Sequence, residues 1–128
     1  MGAWGSGSFD NDTAMDWVST FLREGPDAVR DAFDAVTDSY LDADIGCCVI
    51  AAAESLAAAR GKPVKGLPDG IKNNLDDLAD EIKDVALLAK ATACVKDVRE
   101  RDELRELWNE ADPKEWLAGV DDLLKRLK

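Results

Sequence analysis

An almost continuous apolar segment lies near the middle of the chain, at residues 45–60, and reads IGCCVIAAAESLAAAR. A helix that is apolar nearly all round is stable only where other elements surround it on most sides. At about 1.5 Å per residue this helix is too short to cross a bilayer, and Glu54 places a charge within it. The segment therefore predicts a central buried helix over about residues 44–60, capped by Asp42 or Asp44.

Two amphipathic helices are predicted before this central helix. Apolar residues recur at a spacing of three and four on both sides of Gly25, and Pro26 suits the first turn of the second helix. The second helix is expected to stop near Leu41. The inner faces of the two helices are Ala14, Trp17, Val18, Phe21 and Leu22, and then Val29, Ala32, Phe33, Val36 and Tyr40.

The second half of the chain predicts further helices and no strand. Residues 61–70 are dense in glycine and proline and predict the longest loop, with Pro68 opening the next helix. Ile71, Leu75, Leu78 and Ile82 predict a helix that either continues or breaks near Asp80. Three more helices are predicted at about residues 85–98, 102–108 and 113–127. The predicted fold class is therefore all-α, a bundle of six or seven helices in a single domain over residues 1–128.

The first ten residues, MGAWGSGSFD, combine three glycines with Trp4 and Phe9. Glycine permits backbone conformations that other residues avoid, so this segment is expected to turn back and dock its aromatic side chains on the bundle. It is predicted to be an ordered lead-in whose Asp10 or Asn11 caps the first helix. Because it lacks the basic start and apolar stretch of a secretion signal, a cytoplasmic location is expected.

The charge of the chain is strongly negative. It has 27 acidic and 16 basic residues, a net charge of −11, and no histidine. Residues 1–60 hold 11 of the acids against only three arginines. Such a chain repels nucleic acids and anionic membranes, so neither is expected as a partner. The expected partner is a basic protein.

Four aspartates form a stripe along the second predicted helix, opposite its apolar face: Asp27, Asp31, Asp34 and Asp38. Like charges one turn apart oppose a helix by roughly 0.2–0.5 kcal/mol per pair, and only Arg30 offsets them here. Cations of a partner would relieve this repulsion, so the four aspartates are the predicted partner-binding residues. The alternative is a solvated face that keeps the protein soluble.

Glu54 is the one acidic side chain in the central apolar segment after its first turn. Buried carboxylates sometimes act as acids, bases or metal ligands, which makes Glu54 the candidate buried functional carboxylate. The alternative is a structural role, either in a pair with an arginine or at a gap open to solvent.

The sequence does not support the common catalytic and metal-binding motifs. The absence of histidine excludes the Ser-His-Asp, Cys-His and H-E-x-x-H arrangements. A calcium loop counted from Asp10 lacks both the required glycine and the bidentate glutamate. Cys47, Cys48 and Cys94 have no C-x-x-C spacing and are expected to pack as small apolar side chains. The four tryptophans are expected in the core, and the alternative is that they line a ligand pocket. No catalytic residue, metal site or cofactor is predicted.

A resemblance to a known family rests on four segments: MGAWGSGSFDNDTAMDW at the start, AAAE at residues 51–54, DELRELW at residues 102–108 and EWLAGVDDL at residues 115–123. These are similar to a bacterial family, domain of unknown function 4259. The resemblance implies a small bacterial cytoplasmic protein and assigns no site. The residues themselves favour a small acidic, non-enzymatic interaction module of the inhibitor or immunity type. The alternative function is a carboxylate-dependent enzyme or metal-binding protein centred on Glu54.

Overall fold

The computed structural model describes residues 12–36, 43–64, 67–100 and 113–127. Within these ranges the chain forms α-helices and short 3-10 helices, with no strand. The α-helices are α1 (Asp12–Glu24), α2 (Pro26–Asp34), α3 (Ala43–Ala59), α4 (Asp69–Lys72), α5 (Val85–Glu100) and α6 (Pro113–Arg126). The 3-10 helices Leu75–Leu78 and Glu81–Lys83 connect α4 to α5. The predicted all-α bundle is confirmed.

Helix α3 is the centre of the bundle and packs against α1, α2, α5 and α6. Every residue from 49 to 58 is at most 4 % exposed, because neighbouring helices cover all sides of this apolar stretch. The helix begins at Ala43, so Asp44 lies inside it and the prediction that Asp44 could cap it is wrong. Asp42, the other predicted cap, lies outside the described residues.

Gly25 forms the tight junction between α1 and α2. Its φ of 68° lies in the left-handed region that favours glycine, and no atom within 4 Å would obstruct a Cβ there. Its amide donates to the Phe21 carbonyl at 2.8 Å, which closes α1, and Pro26 follows as the first residue of α2. Gly25 thus ends α1 and Pro26 opens α2, as the sequence predicts, and the two helices pack against each other.

Helix α2 is shorter than predicted. It ends at Asp34, with Ala35 as its C-cap and Val36 outside the helix, rather than continuing to Leu41. The three residues after Val36 are Thr37, Asp38 and Ser39, all weak helix formers, which favours an early end. Tyr40 and Asp38 lie outside the described residues.

The inner face of α1 is also narrower than predicted. Ala14, Trp17, Val18 and Phe21 are buried, but Leu22 is 55 % exposed. Helix α4 packs against this end of α1. A Cβ built on Gly70 would lie 3.3 Å from side-chain atoms of both Leu22 and Val18, so the backbone of α4 packs closely on α1 at this point.

The connection after α3 contains short elements before α5. Helix α4 follows Pro68, as predicted, and the two 3-10 helices on either side of Asp80 replace one continuous helix. Asp84 then caps α5, because its Oδ1 accepts the Leu87 amide at 3.2 Å.

Helix α6 packs on α3 and α5 and begins with Pro113, as predicted. Val120, Leu123 and Leu127 are buried on its inner face. The structure describes the backbone but not the side chains at the start of α6, among them Trp116 and Leu117. The predicted lead-in at residues 1–10 and the predicted helix at 102–108 lie outside the described residues.

Candidate functional site

A cavity of about 380 Å³ lies between α1, α2 and the first two turns of α3. We refer to it as the α1–α2 groove. Its residues follow the spacing of one helical face on α1 and one on α2, since the two helices lie side by side after the Gly25 junction. The groove is lined by Thr13, Asp16, Trp17 and Thr20 of α1, Ala28, Asp31, Ala32 and Ala35 on or just after α2, and Ile45 and Cys48 of α3.

The walls of the groove are apolar and firmly held. The Trp17 indole Nε1 donates to the Ala28 carbonyl at 3.2 Å, and its ring stacks on Phe21 with the ring centroids 5.6 Å apart. The apolar residues on the α2 side of the groove are small, Ala28 and Ala32 in the helix and Ala35 just after it, and they leave the space unfilled. Trp17 is therefore a core residue, as predicted, and also part of the groove wall.

Two carboxylates lie at the edge of the groove. Asp16 of α1 and Asp31 of α2 are both exposed and both line it. No lysine or arginine is among the described residues that line the groove. Arg23 donates to the Thr20 hydroxyl at 3.3 Å, but it lies about two helical turns along α1 from Asp16. The edge formed by Asp16 and Asp31 is thus negatively charged.

The four aspartates predicted to bind a partner have different surroundings. Asp27 and Asp31 are exposed on α2. Asp34 is exposed as well, but its Oδ1 accepts a hydrogen bond from the Lys90 ammonium of α5. Asp38 lies outside the described residues. The structure therefore places Asp31 and Asp16 at the same groove edge, which was not predicted. It pairs Asp34 with Lys90 of the same chain.

Arg30 does not offset the aspartate stripe as the sequence suggested. Its long side chain reaches the start of α5, where Nη2 lies 2.5 Å from Glu81 and 3.4 Å from Asp84. The hydrogen bond to Glu81 raises the pKa of Arg30. The pKa of Asp84 is lowered, first by the hydrogen bond from the Leu87 amide and further by Arg30. These contacts attach α2 to the start of α5.

Glu54 is fully buried and pairs with an arginine from α6. Arg126 Nη1 donates to Glu54 Oε1 at 2.6 Å, and Nη2 donates to Oε2 at 3.2 Å. Arg126 also contacts Asp122 at 2.7 Å and the Lys62 carbonyl at 3.3 Å. Burial of the guanidinium lowers its pKa, but the two carboxylates outweigh burial, so the pKa of Arg126 is raised.

A second arginine joins the same helices, because Arg60 donates to the Leu127 carbonyl. Glu54 thus lies in a set of contacts that holds the end of α6 against α3. Within the described ranges, no group of three Cys, Asp or Glu side chains is placed to hold a metal ion.

No disulfide links Cys47, Cys48 or Cys94 within the described ranges. Cys47 and Cys94 are buried, as predicted, whereas Cys48 is only partly buried and lines the groove. The Cys94 thiol donates to the Phe33 carbonyl at 3.8 Å, and burial raises its pKa. Chemical modification of the Cys48 thiol would therefore measure how accessible the groove is to solvent.

These features define an acidic helical protein with an apolar groove edged by carboxylates. The chain matches the family described as Domain of unknown function (DUF4259) over residues 2–119, nearly its whole length, and it belongs to that family. The family resemblance inferred from the sequence is confirmed. No match was found among curated proteins or among solved structures. No helix in the described parts of the chain is long and apolar enough to span a membrane.

Proposed function

We propose that this protein is a non-enzymatic interaction module that binds a basic partner protein through the acidic surface of α1 and α2. The observation that carries the proposal is the position of Asp16 and Asp31, two exposed carboxylates from different helices at the edge of one apolar groove. Protein interfaces commonly have an apolar centre and a polar rim. Negative charge at the rim speeds association with a basic surface.

The predicted stripe contributes unequally to this surface. Asp27 and Asp31 present their charge to solvent, and Asp16 joins them from α1. Asp34 contributes less because Lys90 already neutralises it, although an exposed pair of this kind is worth only about 0–1 kcal/mol and yields to a partner's cation. Asp38 remains a predicted member of the surface.

An inhibitor-like or immunity-like role fits such a surface. A fixed negative face competes for the basic sites with which other proteins hold anionic substrates. We place this role in the bacterial cytoplasm. The odd number of cysteines, three, supports that placement, because it does not form a set of disulfide pairs and disulfides are rare where thiols are kept reduced.

We assign Glu54 to the stability of the fold rather than to catalysis or metal binding. A general base must reach a proton on its substrate. Glu54 is fully buried, and Arg126 contacts both of its carboxylate oxygens. The enzyme alternative centred on Glu54 therefore has less support than the interaction module.

The test is a partner capture that compares charge reversals at two places. The variant Asp16→Lys, Asp31→Lys reverses the groove edge. The control Asp76→Lys, Asp77→Lys makes the same change in net charge at exposed residues that do not line the groove. Asp34 is left unchanged because its reversal would also oppose Lys90.

We expect wild type and the control to capture the same basic protein from the host, and the groove-edge variant to lose it. The captured protein is then purified, and its direct binding is measured. Equal capture by all three proteins, or capture of no basic protein by any of them, would contradict the proposal.

A further inference from the structure

We propose that the α1–α2 groove receives one large apolar side chain of the partner, and that Asp16 and Asp31 hold a lysine or arginine from the same segment. This inference rests on the proposed function and specifies the chemistry of its partner. The occupant is thus a basic segment with an apolar anchor.

The apolar part of the occupant follows from the size and the walls of the groove. Its volume of about 380 Å³ falls in the range of ligand pockets, about 300–1,000 Å³. Trp17 and Ile45 supply large apolar walls, and the alanines of α2 leave the space between them open. Because its hydrogen bond to Ala28 and the stacking on Phe21 already hold the indole, binding requires little ordering of this wall.

The cationic part follows from charge complementarity. The cations near this surface are engaged elsewhere. Arg30 pairs with Glu81 and Asp84, and Lys90 pairs with Asp34. Arg23 donates to the Thr20 hydroxyl, about two helical turns along α1 from Asp16. The groove edge at Asp16 and Asp31 is left negative. A second copy of this chain would bring a further net charge of −11, so a basic segment fits better than self-association.

The first arm of the test uses three short fluorescein-labelled peptides, measured by fluorescence anisotropy. One has a central leucine flanked by lysines, the second has alanine in place of leucine, and the third has glutamine in place of the lysines. We expect the first peptide to bind about tenfold more tightly than either of the others, because leucine burial and charge pairing each contribute.

The second arm changes the groove itself. Ala35 is exposed and lines the groove beyond the end of α2, so Ala35→Phe fills part of the space without disturbing the core. Ala89→Phe, at an exposed alanine of α5, is the control. We expect Ala35→Phe to abolish the preference for leucine over alanine, and Ala89→Phe to keep it. Circular dichroism confirms that both variants fold.

The outcomes separate this inference from the proposed function. Equal binding of the leucine and alanine peptides, with no effect of Ala35→Phe, would overturn the groove inference. If Asp16→Asn, Asp31→Asn still weakened the lysine peptides in that case, the acidic interaction surface would stand. Equal binding of the lysine and glutamine peptides would overturn the cationic part of the inference. If the Asp16→Asn, Asp31→Asn variant also bound the lysine peptides as tightly as wild type, the proposed function would be contradicted too.

Discussion

Arg126 contacts both carboxylate oxygens of Glu54, at 2.6 and 3.2 Å, and so joins the end of α6 to the middle of the central helix. The side chains are 13 % and 1 % exposed, which makes this a buried ion pair. Loss of one member of such a pair leaves the other charge buried without its main partner, whereas replacement of both with apolar residues is often nearly neutral.

We therefore predict that Arg126→Met lowers the free energy of unfolding by about 3 kcal/mol. The double variant Glu54→Met, Arg126→Met should recover much of that loss. Urea denaturation measures both values. The control is Arg99→Met, which removes the half-exposed pair of Arg99 with Asp121 and should cost at most about 1 kcal/mol. A similar small loss for Arg126→Met would show that the buried pair does not stabilise the fold.

The Asp84 cap at the start of α5 predicts how the free energy of unfolding depends on pH. Asp84 accepts a hydrogen bond from the Leu87 amide at 3.2 Å, and Asp84→Ala should lower the free energy of unfolding at neutral pH. The pKa of Asp84 is lowered in the folded protein, so its contribution is present above the unfolded value of about 3.9 and is lost as the pH falls through the lower folded value.

The stability difference between wild type and Asp84→Ala should therefore shrink as the pH is lowered below about 4. Denaturation at a series of pH values measures this difference. A difference that stays constant into strong acid would argue against the ionised carboxylate as the cap. The control is Asp76→Ala. Asp76 is exposed, and within the described residues its carboxylate accepts no backbone amide as that of Asp84 does.

Two glycines should respond in opposite directions to the same substitution. Gly25 has a φ of 68°, so Gly25→Ala should cost about 1 kcal/mol of stability. Gly119 lies within α6 with ordinary helical backbone and no atom within 4 Å of a built Cβ, so Gly119→Ala should add about 0.5–1 kcal/mol. Thermal unfolding compares the two. Equal effects in one direction would mean that the Gly25 junction does not require its left-handed conformation.

Thiol labelling tests the exposure of the groove. Cys48 is partly buried and lines the groove, while Cys47 and Cys94 are buried and the pKa of Cys94 is raised. A maleimide should thus modify Cys48 first, with the site identified by mass spectrometry, because a thiolate in reach of solvent is the reactive form. Labelling of Cys94 before Cys48 in the folded protein would contradict the arrangement.

Local patterns predicted much of the fold. The apolar run places the central helix within about one residue at each end, and Gly25 and Pro26 mark the junction of α1 and α2, because these signals depend only on neighbouring residues. The extent of α2 was wrong, since its apolar spacing continues to Tyr40 while the helix ends at Asp34. Periodicity alone does not show where weak helix formers end a helix.

The candidate site could not be predicted in the same way, because its contacts join residues that are far apart in the sequence. No sequence pattern links Asp16 to Asp31, and their shared place at the groove edge follows from the packing of α1 on α2. Lys90 is 56 residues from Asp34, and Arg126 is 72 residues from Glu54. An arginine for Glu54 was foreseen as an alternative, but no sequence pattern identified which one.

The central claim is that the groove edge at Asp16 and Asp31 binds a basic protein. Its most direct test is a calorimetric titration of the purified basic partner into wild type, Asp16→Lys, Asp31→Lys and the control Asp76→Lys, Asp77→Lys, at low and physiological salt. We predict that the groove-edge variant binds at least about tenfold more weakly than the control, and that salt weakens the binding of wild type. Equal affinities for the groove-edge variant and the control would contradict the claim.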